Sequence, residues 1–81
     1  MHYLYILQSE LDQSYYVGST QGVEQRLASH NAGRGRYTRK KMPWKLVYTE
    51  VFETKSEALI REKAIKNMKS RVYIENLLLA K

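Results

Sequence analysis

Five residues of this sequence have the types and spacing that chemistry would use: Tyr5 and Tyr16 eleven positions apart, Arg26 and His30 four apart, and Glu62 in a lysine-rich stretch. A phenol can order or activate a water. A guanidinium is planar, permanently charged and bidentate, which suits a phosphate oxygen. An imidazole titrates near neutrality and can accept a proton. A carboxylate is a ligand for a hard divalent cation. Each residue also has an ordinary explanation, because tyrosines fill strands and cores and Arg and His recur on helix surfaces.

Glu62 needs a partner wherever it ends up. Ala58 and Leu59 precede it by four and three residues and Ile65 follows by three, so helical spacing puts the carboxylate inside an apolar stripe. A salt bridge to Arg61, to Lys66 at i+4 or to a more distant lysine would satisfy it, and so would a metal ion. Gly18, two residues after Tyr16, ends a strand without a side chain and leaves room for a substrate backbone.

Charge points the same way. Fourteen Lys and Arg oppose eight Asp and Glu, a net charge of +6, which favours polyanionic partners. The excess is concentrated. Arg34, Arg36, Arg39, Lys40 and Lys41 place five cations in eight residues, interleaved with Tyr37 and glycine and without an acid. Such a loop suits tracking a phosphate backbone, and these five residues with Gly18 are the candidate nucleic-acid contacts.

Elements must position these groups. Apolar or aromatic residues on both faces of His2 to Leu7 mark a central strand, and Tyr15 to Ser19 pairs with it through a polar hairpin. Thr20 is expected to cap a helix from about Gln21 to Asn31, with Val23 and Leu27 as its apolar pair and Gly33 and Gly35 ending it. Pro43 cannot donate to a ladder and belongs just before a strand over Trp44 to Phe52. Thr54 and Glu57 form a capping box for a helix to about Lys69, and Ser70 restarts a shorter one with Tyr73, Ile74, Leu77 and Leu78 on one stripe. The expected fold class is α/β: a three-stranded, mainly antiparallel sheet flanked by helices in the order β-β-α-β-α-α.

Size and composition bound the rest. Eighty-one residues with 43% apolar and 27% charged content suit one folded globular domain over residues 1–81. Without cysteine there is neither disulfide nor thiolate zinc, and a reducing cytoplasm is the expected location. Apolar runs such as Leu77 to Ala80 are far short of the roughly 20 residues that span a bilayer, so no membrane association is expected.

Taken together, the motif residues resemble the GIY-YIG nuclease domain, in a short stand-alone bacterial form similar to the nuclease domain of the excinuclease C subunit. Tyr3-Leu4-Tyr5 corresponds to the first motif and Tyr16-Val17-Gly18 to the second, with Arg26, His30 and Glu62 following in order. The resemblance covers essentially the whole chain. Tyr3 stands where the name-giving glycine would be, Val17 replaces isoleucine, and Asn76 is the available counterpart of a family asparagine.

The resemblance implies hydrolysis of a DNA phosphodiester with one divalent metal, Mg2+ or Mn2+, in repair or recombination. In that reading Tyr16 activates the attacking water, His30 accepts the proton, Tyr5 orders the water, Arg26 holds the developing phosphorane charge and Glu62 anchors the metal. A free tyrosine titrates near pH 10, so a phenolate at pH 7 costs about 4 kcal/mol and the proton must be relayed. All five groups must then share one basic hollow. Two other readings fit the sequence: a nucleic-acid-binding module with little or no turnover, and a protein-interaction adaptor using Trp44 and Tyr48. The substrate structure and the oligomeric state are left open.

Overall fold

The computed structural model describes residues 1–80. Three strands, β1 (His2–Ser9), β2 (Tyr15–Thr20) and β3 (Trp44–Phe52), form a wholly antiparallel sheet in the order β2-β1-β3. Helices α1 (Val23–Asn31), α2 (Lys55–Met68) and α3 (Arg71–Leu79) and a 3-10 turn (Thr38–Lys41) complete it in the expected order. Among the described residues, no helix is long and apolar enough to cross a membrane.

β1 is the central strand because both of its faces are apolar. Leu4 and Ile6 point to one side, where they pack with Val17, Ile65 of α2 and Tyr73, Ile74 and Leu77 of α3. Tyr5 and Leu7 point to the other, against Trp44, Tyr16, Met42 and the α1 residues Val23 and Leu27. The sheet is thus covered on both faces, α2 and α3 on one and α1 with the basic loop on the other. Fully burying each such side chain contributes roughly 1.5–3 kcal/mol.

The β1–β2 hairpin is closed by Ser9, whose buried hydroxyl accepts from the N–H groups of Leu11 and Asp12 and donates to the Lys41 carbonyl at 2.7 Å. This ties the hairpin to the end of the basic loop. α2 starts with the expected reciprocal box between Thr54 and Glu57, and Ser70 caps α3 by accepting from the Tyr73 N–H.

Two local expectations change, and β3 departs from plain alternation. Thr20 does not cap α1, because it is still paired with Tyr3 as the last residue of β2. Its hydroxyl accepts from the Gly22 N–H at 3.1 Å and turns the chain, and α1 begins at Val23. Leu59 is 45% exposed rather than part of the buried stripe of α2, which is carried by Ala58 and Ile65. In β3, Trp44 and Tyr48 stand four apart, yet they serve opposite faces. A register shift in the β1–β3 ladder, where Ile6 faces Tyr48 and Leu7 faces Leu46, explains this. Tyr48 hydrogen-bonds the Glu50 carboxylate, and Trp44 is buried.

Candidate functional site

Tyr5 sits on β1 opposite Gly18 of β2. A Cβ at residue 18 would lie 2.6 Å from the Tyr5 hydroxyl, so the missing side chain is what lets the phenol ring lie across the edge strand. Tyr16 projects from the same face, since its partner Leu7 shares the side of Tyr5. The two phenol rings are 6.3 Å apart between centroids.

The last turn of α1 delivers His30 onto these rings. The imidazole is only 7% exposed, its Nε2 lies 3.2 Å from the Tyr5 hydroxyl, and the Tyr16 ring meets it edge-on at 4.9 Å. Its Nδ1 is 2.9 Å from Thr38 Oγ1. Thr38 is itself buried, and a Cβ at Gly35 would come within 2.2 Å of its hydroxyl, so Gly35 allows the basic loop to fold that close. Trp44 Nε1 donates to the Thr38 carbonyl at 2.8 Å and fixes the turn.

Burial and neighbouring charge set the protonation states. Burial lowers the His30 pKa, and the Arg26 cation adds to the effect, so both favour the neutral imidazole. Tyr5 is pushed up to about 12, first by burial and then by Tyr16, while Arg26 opposes the shift. Tyr5 therefore keeps its proton at neutral pH and serves as a hydrogen-bonding group. Arg26 is exposed on α1 and lines an open cleft of about 510 Å3 together with Ser19, Thr20, Gln25 and Lys55.

Glu62 reaches this region from the other side. α2 packs on the Leu4 and Ile6 face, and the Glu62 carboxylate accepts from the Ser19 hydroxyl at 2.7 Å. Ser19 pairs with Leu4 and Gly18 with Tyr5, so consecutive residues of β2 carry the two halves of the site on opposite faces. The expectation of one shared hollow is corrected accordingly. Tyr5, Tyr16 and His30 form one cluster with Arg26 beside it, and Glu62 meets it at the rim of edge strand β2. The rim is thin enough for the Glu62 charge to contribute to raising the Tyr5 pKa.

Of the partners expected for Glu62, Lys66 is present at 2.7 Å and Arg61 is not. Arg61 instead pairs with Glu50 at 2.9 Å and donates to the Tyr73 hydroxyl. Asn76 is exposed on α3, and among the described residues its amide joins none of these groups.

In the basic loop Arg34, Arg36, Arg39 and Lys40 are exposed. Lys41 differs. It pairs with Asp12 at 3.3 Å, donates to the Ser14 hydroxyl and lies 5.1 Å over the Tyr37 ring, so its charge is committed within the chain. Those contacts raise the Lys41 pKa, with Tyr37 the larger cause, and hydrogen bonds from Ser14 hold the Asp12 carboxyl well below the usual range.

Sequence reasoning passed over Ser19 and Thr38. Ser19 directly follows Gly18, and strand alternation alone assigns it to the opposite face from Tyr5. Thr38 is the one small hydroxyl residue between the loop cations, and only the fold of that loop reveals its bond to His30.

Comparison with known proteins accords with this architecture. The GIY-YIG catalytic domain family matches residues 1–75. A UPF0213 protein of Staphylococcus haemolyticus is 52% identical over 66 residues, covering 80% of this chain and 79% of its own length. One from Natronomonas pharaonis is 48% identical over 77 residues, covering 94% and 88%. The solution NMR structure of a UPF0213 protein from Bacillus halodurans is 41% identical and superposes with a TM-score of 0.64 over 99% of this chain and 84% of that one. With the match extending from the first strand into α3, the chain belongs to the GIY-YIG catalytic domain family, whose members are nuclease-type domains.

Proposed function

We infer that this protein is a DNA-directed endonuclease that hydrolyses a phosphodiester with the help of a divalent metal, Mg2+ or Mn2+, in repair or recombination. The observation that carries the reading is the buried His30 with one ring nitrogen at the Tyr5 hydroxyl and its ring edge against Tyr16, beside the Arg26 cleft.

The donor set suits a metal held by one carboxylate. Among the described residues no three His, Cys, Asp or Glu side chains gather as a protein cage. Magnesium is commonly held by one or two carboxylates, with waters and substrate phosphate completing its shell, and Glu62 at the β2 rim offers one carboxylate. A cation bound there would polarise the phosphate and stabilise the leaving oxygen.

The residues divide the remaining work. Arg26, exposed in the cleft, takes the equatorial phosphate oxygens as negative charge develops. Tyr16, half-buried at the edge of the cluster, orients the water. The proton path to His30 runs through Tyr5: its O–H donates to Nε2 while a lone pair on the same oxygen accepts from the water side. His30 serves as the proton acceptor by way of Tyr5 in this reading, since Nε2 lies at the Tyr5 hydroxyl. In this reading Thr38 accepts from Nδ1–H, the tautomer that leaves Nε2 to accept from Tyr5.

Incubation of labelled duplex, flap and branched DNA with Mg2+ or Mn2+ tests this. The wild type nicks at least one of them, while Tyr16→Phe and Glu62→Gln lose at least about 100-fold in rate with unchanged circular dichroism. Undiminished cutting by both variants refutes the assignment. A binding module without turnover is the second reading, favoured by the Lys66 ammonium that sits on the Glu62 carboxylate. Its signature is metal-independent binding with no nicking of any substrate.

A further inference from the structure

The pair at the rim of β2 is asymmetric. Glu62 has 18% of its side chain exposed and is held by Ser19 on one oxygen and Lys66 on the other, whereas Lys66 is 50% exposed and touches the carboxylate only with the tip of a flexible stem. If the ammonium leaves, Ser19 keeps the carboxylate aimed at the strand edge. The pair is on the surface, where such contacts are weak and exchange readily.

A departing Lys66 has no second acid to turn to on its own helix. Among the described residues the acids of α2 are Glu57 and Glu62, and Glu57 is occupied by the Thr54 capping box. Glu75 on α3 is paired with Arg71 at 3.2 Å. Lys66 also lines a groove of about 240 Å3 with Tyr15, Lys69, Ser70 and Arg71, whose charged side chains are all cations, which suits a phosphate.

We propose that Lys66 is the resident counter-ion of Glu62: it occupies the place of the divalent cation, yields to it, and passes its own charge to a phosphate of the incoming strand. The site thereby loads cation and polyanion together and keeps Glu62 neutralised in the free protein. The proposal rests on the metal-dependent reading of Glu62 and adds what competes for that carboxylate. Ser19 acts as a positioning residue, since it touches only the carboxylate.

Mn2+ binding followed by water-proton relaxation, a measurement independent of cleavage, tests the exchange. Lys66→Met keeps the apolar stem and removes the charge. It tightens Mn2+ binding by roughly threefold to tenfold, and adding Glu62→Gln abolishes binding in either background. Repeating the titration with an uncut duplex on Tyr16→Phe protein narrows the gap between Lys66 and Lys66→Met versions, because the phosphate then draws the lysine away. Glu62-dependent binding of equal strength with and without Lys66 overturns the counter-ion role and leaves the metal reading standing. A gap that the duplex leaves unchanged overturns the transfer to phosphate. Mn2+ binding that ignores Glu62 in both backgrounds overturns the metal reading and the proposal with it.

Discussion

Tyr5 can lie across β2 only because residue 18 brings no side chain, so the reach of the phenol and the identity of its neighbour form a single constraint. An alanine there would meet the Tyr5 hydroxyl at 2.6 Å and its ring carbons at 2.7 and 2.9 Å, and the ring is buried with little room to swing. Overpacking of this kind costs about 1–3 kcal/mol, while Gly→Ala recovers about 0.4–1 kcal/mol through the unfolded chain. Gly18→Ala is expected to lose a net 1–2 kcal/mol or so in urea denaturation. It also separates Tyr5 from His30, which the His30 ring resonances report. An unshifted denaturation midpoint would mean that the ring is freer than its packing indicates. The same residue-scale logic joins His30 to the basic loop: Gly35 admits the Thr38 hydroxyl, and Thr38 holds the imidazole from the side away from Tyr5.

Between elements, the less visible coupling is that of α1 to β3. Asn31, the last residue of α1, donates its amide to the Trp44 carbonyl at 2.9 Å and accepts from the Trp44 N–H at 2.7 Å, a side chain imitating a neighbouring strand. These two bonds hold the helix end that carries His30. Asn31→Ala leaves both Trp44 backbone groups without them, at a cost of about 1–3 kcal/mol. Loss of stability with altered Trp44 fluorescence is the expected result, and unchanged stability would show that water replaces both bonds. Such a contact explains which parts of the fold the sequence reveals. The β3 span, the Thr54 capping box and the restart at Ser70 are local signals carried by a few adjacent residues, and each matches. The α1 start, the Val47 neighbourhood where the ladder slips, and the exposure of Leu59 depend on what the segment packs against. Likewise the tyrosines, Arg26 and Glu62 stand out by type and spacing. The division of the site between two faces follows from register and two-sided packing, which neither type nor spacing encodes.

At the scale of the whole molecule, a two-faced sheet with helices on both sides leaves its edge strand β2 as the place where groups from the two faces can meet. Cations lie on both faces of the sheet. The loop contributes Arg34, Arg36, Arg39 and Lys40 on the α1 side, and Lys66, Lys69 and Arg71 line the groove on the α2 and α3 side. Their contributions are unequal in kind, because Arg71 and Lys66 are already paired while the four loop cations are exposed. Free cations release condensed counter-ions from a duplex, so the loop should dominate the salt dependence of binding. Each neutralised phosphate adds about 0.9 to the slope of log affinity against log salt. Replacing Arg36, Arg39 and Lys40 together by alanine should therefore lower that slope by up to about 2.7 in fluorescence anisotropy titrations over a salt series. Lys41→Ala is the informative control, since a lysine already bound to Asp12 and Ser14 has little charge to spend on a phosphate and should move the slope much less. A triple variant with the wild-type slope would remove the loop from the contact surface and move the search for it to the α2–α3 groove.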